Sequence, residues 1–118
     1  MRVVFQSFAL STALAAPAYA DGFNQVREKS EFVSLISGKS LTRFGIRLQV
    51  SPAGAIEGSA FGTDVTGKWE WQSGLFCRDL AFGKKDLGPN CQMVKQNGNS
   101  LRFISDAGEG DSADFRLK

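Results

Sequence analysis

The 118-residue chain contains no histidine. That removes the commonest general base, the usual zinc ligand and any haem attached through C-x-x-C-H. Tyr19 is the only tyrosine. Cysteine is limited to Cys77 and Cys91, too far apart for a redox C-x-x-C and without a third ligand for a metal. No serine lies in G-x-S-x-G or S-x-x-K. Charge of one sign is lacking too: 14 Lys and Arg face 12 Asp and Glu, and Lys84-Lys85 is the only basic doublet. An electrostatic nucleic-acid or membrane-surface binder would concentrate positive charge on one face, so neither partner is expected. The remaining catalytic inventory is carboxylates, Lys, Ser and Thr. An enzyme would need two of Asp64, Glu70, Asp79 and Asp86 to converge in a cleft. A protein without enzymatic activity is the expectation.

What is present begins with an export signal. Met1 and Arg2 form a short positive start, 3–16 is uncharged and mostly apolar, and Ala16-Pro17-Ala18-Tyr19-Ala20 offers small residues for a signal peptidase. This predicts a signal peptide over 1–20 and a single exported β-domain over 21–118, in the periplasm or secreted. The competing reading is a retained anchor, but the apolar stretch falls short of the about 20 residues a span needs. No stable membrane insertion after cleavage and a monomeric state are expected. Loss of Arg2 leaves 13 cations against 12 anions. Two cysteines in an exported chain, with none left over, read as one disulfide, Cys77–Cys91. A loop of that length is worth about 3 kcal/mol in the chain-entropy model.

Along the domain, Val26, Phe32, Val33, Leu35 and Ile36 recur at helical spacings within 24–37, which predicts a short N-terminal helix stopped by Gly38. The period then changes to two. Phe44, Ile46, Leu48 and Val50 predict a strand over 44–50, followed by strands over 55–61, 65–71, 75–82, 91–96, 100–105 and 113–118. Residues 83–90 are expected to be a longer loop inside the disulfide ring, and 106–112 a turn. The fold class is therefore mostly β: an antiparallel meander or small barrel of about seven short strands, with the helix against one open end or edge. Glycines 45, 58 and 67 fit sharp curvature or close backbone approach. A two-sheet sandwich stays open as the alternative.

Four features bear on function. Trp69 and Trp71 share one strand face and belong either to the core or to the wall of a binding cleft. Arg78 follows Cys77 and Gln92 follows Cys91, so a disulfide on one face sends both to the other. Arg78 there would pair with a neighbour such as Glu70 or bind an anionic ligand. The expected binding residues are Trp69, Trp71, Arg78 and Gln92. Asp106, Glu109, Asp111 and Asp114 crowd one turn and offer a weak calcium alternative to a solvated hairpin, although the spacing is not an EF-hand. Gly108-Glu109-Gly110-Asp111-Ser112-Ala113 matches a dinucleotide motif by letter only, because too little chain follows to form the helix that must face the pyrophosphate. No cofactor is expected.

Ser37-Gly38-Lys39-Ser40-Leu41, Gly67-Lys68-Trp69-Glu70-Trp71, Phe76-Cys77-Arg78, Asn90-Cys91-Gln92 and Asp106-Ala107-Gly108 carry a resemblance to a group of small exported bacterial proteins of uncharacterised function. Some of these bear the name dihydrodipicolinate reductase. This chain departs from a true reductase of that name: it has no usable dinucleotide motif, no histidine and half the length. The resemblance implies a shared framework and no mechanism. Two functions are carried forward. One is an exported module that binds a small ligand in a cleft lined by Trp and Arg. The other is a protein-interaction module, including an inhibitor of an exported hydrolase, with 83–90 and 106–112 as contact loops.

Overall fold

A computed structural model describes residues 22–118; the expected signal peptide lies outside the described residues. The elements in order are β1 (Asn24–Val26), α1 (Lys29–Ile36), β2 (Leu41–Arg43), β3 (Ile46–Val50), β4 (Ala55–Ala60), β5 (Thr63–Gln72), β6 (Leu75–Phe82), β7 (Lys85–Asn97), β8 (Ser100–Ile104), α2 (Ser105–Gly108) and β9 (Ser112–Leu117). Strands β2 to β9 form a meander in which each pairs antiparallel with the next. Strand β9 then pairs with β2 through Leu41↔Leu117 and Thr42↔Arg116, so the meander closes into an eight-stranded barrel. Closure removes the exposed sheet edges that a sandwich would retain.

Three local readings change. Residues 24–26 are strand rather than helix: β1 lies along β7 in register Val26↔Val94, and Val26 is fully buried. Strand pairing overrides a weak helical period there. The apparent strand over 44–50 is the end of a hairpin, in which Phe44-Gly45 is the turn and β2 the missing partner. The expected loop over 83–90 is also mostly strand. Its turn is confined to Gly83-Lys84, and a register shift at Leu80/Ala81 accommodates Gly88 and Pro89. The extra residue is Leu87, Gly88 has a φ of 75, and Pro89 sits opposite Asp79 where β7 pairs with β6 alone.

Side chains alternate across each strand, so cross-strand partners share a face. The inner face carries Leu41, Val50, Ile56, Val65, Trp69, Phe76, Val94, Leu101, Phe103 and Leu117, all buried. Gly58 lies on this face opposite Leu48 and Val65, with a φ of 153. A Cβ there would strike the Arg47 carbonyl, and one at Gly67 the Asp79 carbonyl, so these glycines let neighbouring strands coil tightly.

Helix α1 plugs one end of the barrel. Phe32 and Ile36, one turn apart, are its buried residues. The Phe32 ring lies 5.2 Å from Trp69, 5.1 Å from Trp71 and 5.1 Å from Phe76. Gly38, with a φ of 71, follows the helix C-cap Ser37 and supplies the left-handed residue that ends it.

Candidate functional site

The disulfide Cys77–Cys91 joins directly opposed residues of β6 and β7, with Cα atoms 3.8 Å apart. Arg78 and Gln92 accordingly face the barrel interior, where Arg78 stands opposite Trp69 and Asn90, and Gln92 opposite Phe76. The interior is not filled. A cavity of about 250 Å³ remains. Its apolar wall comes from β2, β3 and β4 (Leu41, Leu48, Val50 and Ile56), with Phe103 and Phe115 from β8 and β9. Its polar wall is Arg78, Gln92 and Ser105, with Asp111 and Ser112 exposed at the mouth.

The polar wall is held in place by the backbone around it. Arg78 Nη1 donates to the Gly88 carbonyl at 2.8 Å, on the bulged part of β7. Burial draws the guanidinium below its ordinary pKa, opposed in part by Asp79, and it stays protonated at neutral pH. Glu70 lies opposite Cys77, away from the interior, so Arg78 is not its partner. Gln92 Nε2 donates to Ser105 Oγ at 3.2 Å. Next to it, Asn90 Nδ2 donates to Asp106 Oδ1 at 2.8 Å, and the Asp106 amide donates back to Asn90 Oδ1 at 2.9 Å. That reciprocal pair ties α2 to β7. Within α2, Asp106 and Ala107 take left-handed φ values of 55 and 56, a conformation that costs a non-glycine residue roughly 1 kcal/mol or more.

Trp69 and Trp71 lie elsewhere. Neither lines the cavity. Trp69 is 4% exposed and donates from Nε1 to the Ser51 carbonyl at 2.8 Å; Trp71 donates to the Arg27 carbonyl at 3.0 Å. With Lys29 they border a separate depression at the plugged end. The four expected sites thus divide into two pairs: Arg78 and Gln92 in the cavity, the tryptophans under the helix. No local sequence signal points to Ser105 or Phe115, because their facing depends on β8, β9 and the closure onto β2.

The acidic turn does not gather. Asp106 is engaged with Asn90, Asp114 binds Arg102 at 2.7 Å, and Asp111 lies at the cavity mouth. Among the described residues no group of three or more His, Cys, Asp or Glu is placed to hold a metal ion. As placed, Asp106, Asp111 and Asp114 do not converge on one point as the oxygens of a calcium site do. Asp64, Glu70, Asp79 and Asp86 are all exposed and none lines the cavity, but Glu70 and Asp79 together border a separate depression beside the disulfide.

Two large apolar side chains stand in solvent at the hairpin tips. Phe44, in the β2–β3 turn, is 91% exposed, and Phe61, in the β4–β5 turn, is 66% exposed. Their ring centroids are 6.4 Å apart. In a meander these two turns lie at the same end as Gly83-Lys84 and α2, opposite the end that α1 plugs. Among the described residues no helix is long and apolar enough to cross a membrane. No family model, curated protein or solved structure matches the chain.

Proposed function

We propose that the chain is an exported domain without enzymatic activity that holds a small ligand inside its barrel, in the periplasm or outside the cell. The observation that carries this reading is the unfilled interior itself. Folded cores are close-packed, and natural proteins keep few voids larger than a water molecule. A cavity of about 250 Å³ walled by leucine, isoleucine, valine and phenylalanine, with an arginine and a glutamine among them, has the make-up of a ligand pocket: mostly apolar, with a few placed polar groups. The binding residues on this reading are Arg78 and Gln92, while Trp69 and Trp71 support the closed end behind them. Native mass spectrometry of the full-length protein, taken from its exported fraction, tests it. A ligand mass present in the native spectrum, absent after denaturation and lost in Ala113→Trp, which fills the cavity, is the expected result. A wild-type protein that carries no extra mass and gains no thermal stability from any apolar ligand in a panel would count against it.

The exposed Phe44 and Phe61 favour a second reading, a protein-interaction module that uses the hairpin tips in place of 83–90. Single exposed apolar residues are ordinary, but adjacent aromatics on two tips form a patch. On that reading Phe44→Ser together with Phe61→Asn abolishes capture of an exported partner and leaves the cavity's ligand in place.

A further inference from the structure

We propose that the cavity takes an apolar monoanion: a carboxylate on a small aliphatic or aryl body, its charge held by Arg78. This rests on the reading of the barrel as a ligand vessel and narrows it to one chemical class. The small body follows from the cavity's about 250 Å³. The apolar body follows from the wall formed by Leu41, Leu48, Val50 and Ile56, which has no donor or acceptor in its side chains to satisfy a polar ligand.

The negative charge follows from the opposite wall. A guanidinium has five N–H donors in a planar fork suited to a carboxylate. Arg78 uses one of them on the Gly88 carbonyl, and among the described residues it makes no ion pair. Asp79, facing outward on the same strand, offsets the burial of this cation only in part, and an incoming carboxylate would add a direct counter-charge on the inner face. Beside it, the Ser105 hydroxyl accepts from Gln92 and keeps its own O–H to donate. Asp111 is the one carboxylate among the lining residues, but it is exposed at the mouth, where water screens it, whereas Arg78 is half-buried. A cationic ligand would meet the half-buried Arg78 with one solvated acid in its favour.

Calorimetric titration of the full-length protein with octanoate, octanol and acetate separates the contributions. Octanoate should bind one to one. Octanol, with the same chain and no charge, should bind at least about tenfold more weakly, the smallest effect expected for a charge-assisted hydrogen bond. Acetate, with the charge and no body, should give no binding at the same concentrations. Arg78→Met should bring octanoate down to the affinity of octanol, and Arg78→Lys should keep much of the preference. Equal binding of octanoate and octanol, or a preference that survives Arg78→Met, would overturn the anionic class and leave the vessel reading standing. Failure of both ligands to bind would overturn the vessel reading together with this one.

Discussion

Phe61 occupies the first of two positive-φ positions in the β4–β5 turn, at 51, followed by Gly62 at 81. Such turns normally carry Asn-Gly or Asp-Gly, because a side chain beyond the Cβ gains nothing there and the left-handed backbone is strained. The ring lies over Gly45, where a Cβ would collide with it, and the Phe61 amide donates to the Gly45 carbonyl at 2.7 Å. Phe61→Asn should therefore raise stability by about 1 kcal/mol, from the relief of left-handed strain, read as a higher urea midpoint with an unchanged slope. A lower midpoint would mean that the ring's contact with Gly45 and Phe44 outweighs the strain. At this scale the sequence was legible wherever parity could be counted from a fixed point. The disulfide supplied that point, and the inward facing of Arg78 and Gln92 followed from it. Phe44 shows the limit of parity: it continues the alternation of Ile46 and Leu48 in letters, yet it sits in a turn and projects into water.

Helix α1 contributes a single ring that touches much of the closed end. Phe32 is fully buried among Trp69, Trp71, Phe76 and Phe103. Phe32→Ala should cost about 3–5 kcal/mol, much of the margin of a domain this size. The two indoles report on it directly. Their emission should shift to the red as the plug loosens, in step with the fall in unfolding midpoint, whereas an unshifted emission would show that the closed end keeps its packing without the ring. Among the elements, long alternating strands such as β5 and β6 were readable from period alone. The short ones were not. Strands β1 and β2 have three residues each, too few for a period to show, and each exists because a neighbour offers an unpaired ladder. Since β2 is the strand that closes the barrel, overlooking it left barrel and sandwich equally consistent with the remaining pattern.

For the whole molecule, closure and the covalent staple act together. The bond between β6 and β7 spans one hairpin, and Cys77→Ser with Cys91→Ser should lower stability by about 3 kcal/mol while the far-ultraviolet dichroism of the folded state stays the same; a loss below 1 kcal/mol would mean that the hairpin is already restrained in the unfolded chain. The candidate site spreads over strands from both ends of the chain, from Leu41 in β2 to Phe115 in β9, and for that reason the cavity could not be foreseen from any local window. The placement of the half-cystines has a further result. A slip of one residue between β6 and β7 would turn Cys91 inward while Cys77 stays outward, and the sulfurs could no longer meet. The same slip would take Gln92 out of the interior and change the stagger on which closure onto β2 depends. Formation of the Cys77–Cys91 bond is thus tied to this one register. Only a chain with β6 and β7 in this register can close the bond, so a thiol-reactive label counts the molecules that have not closed it.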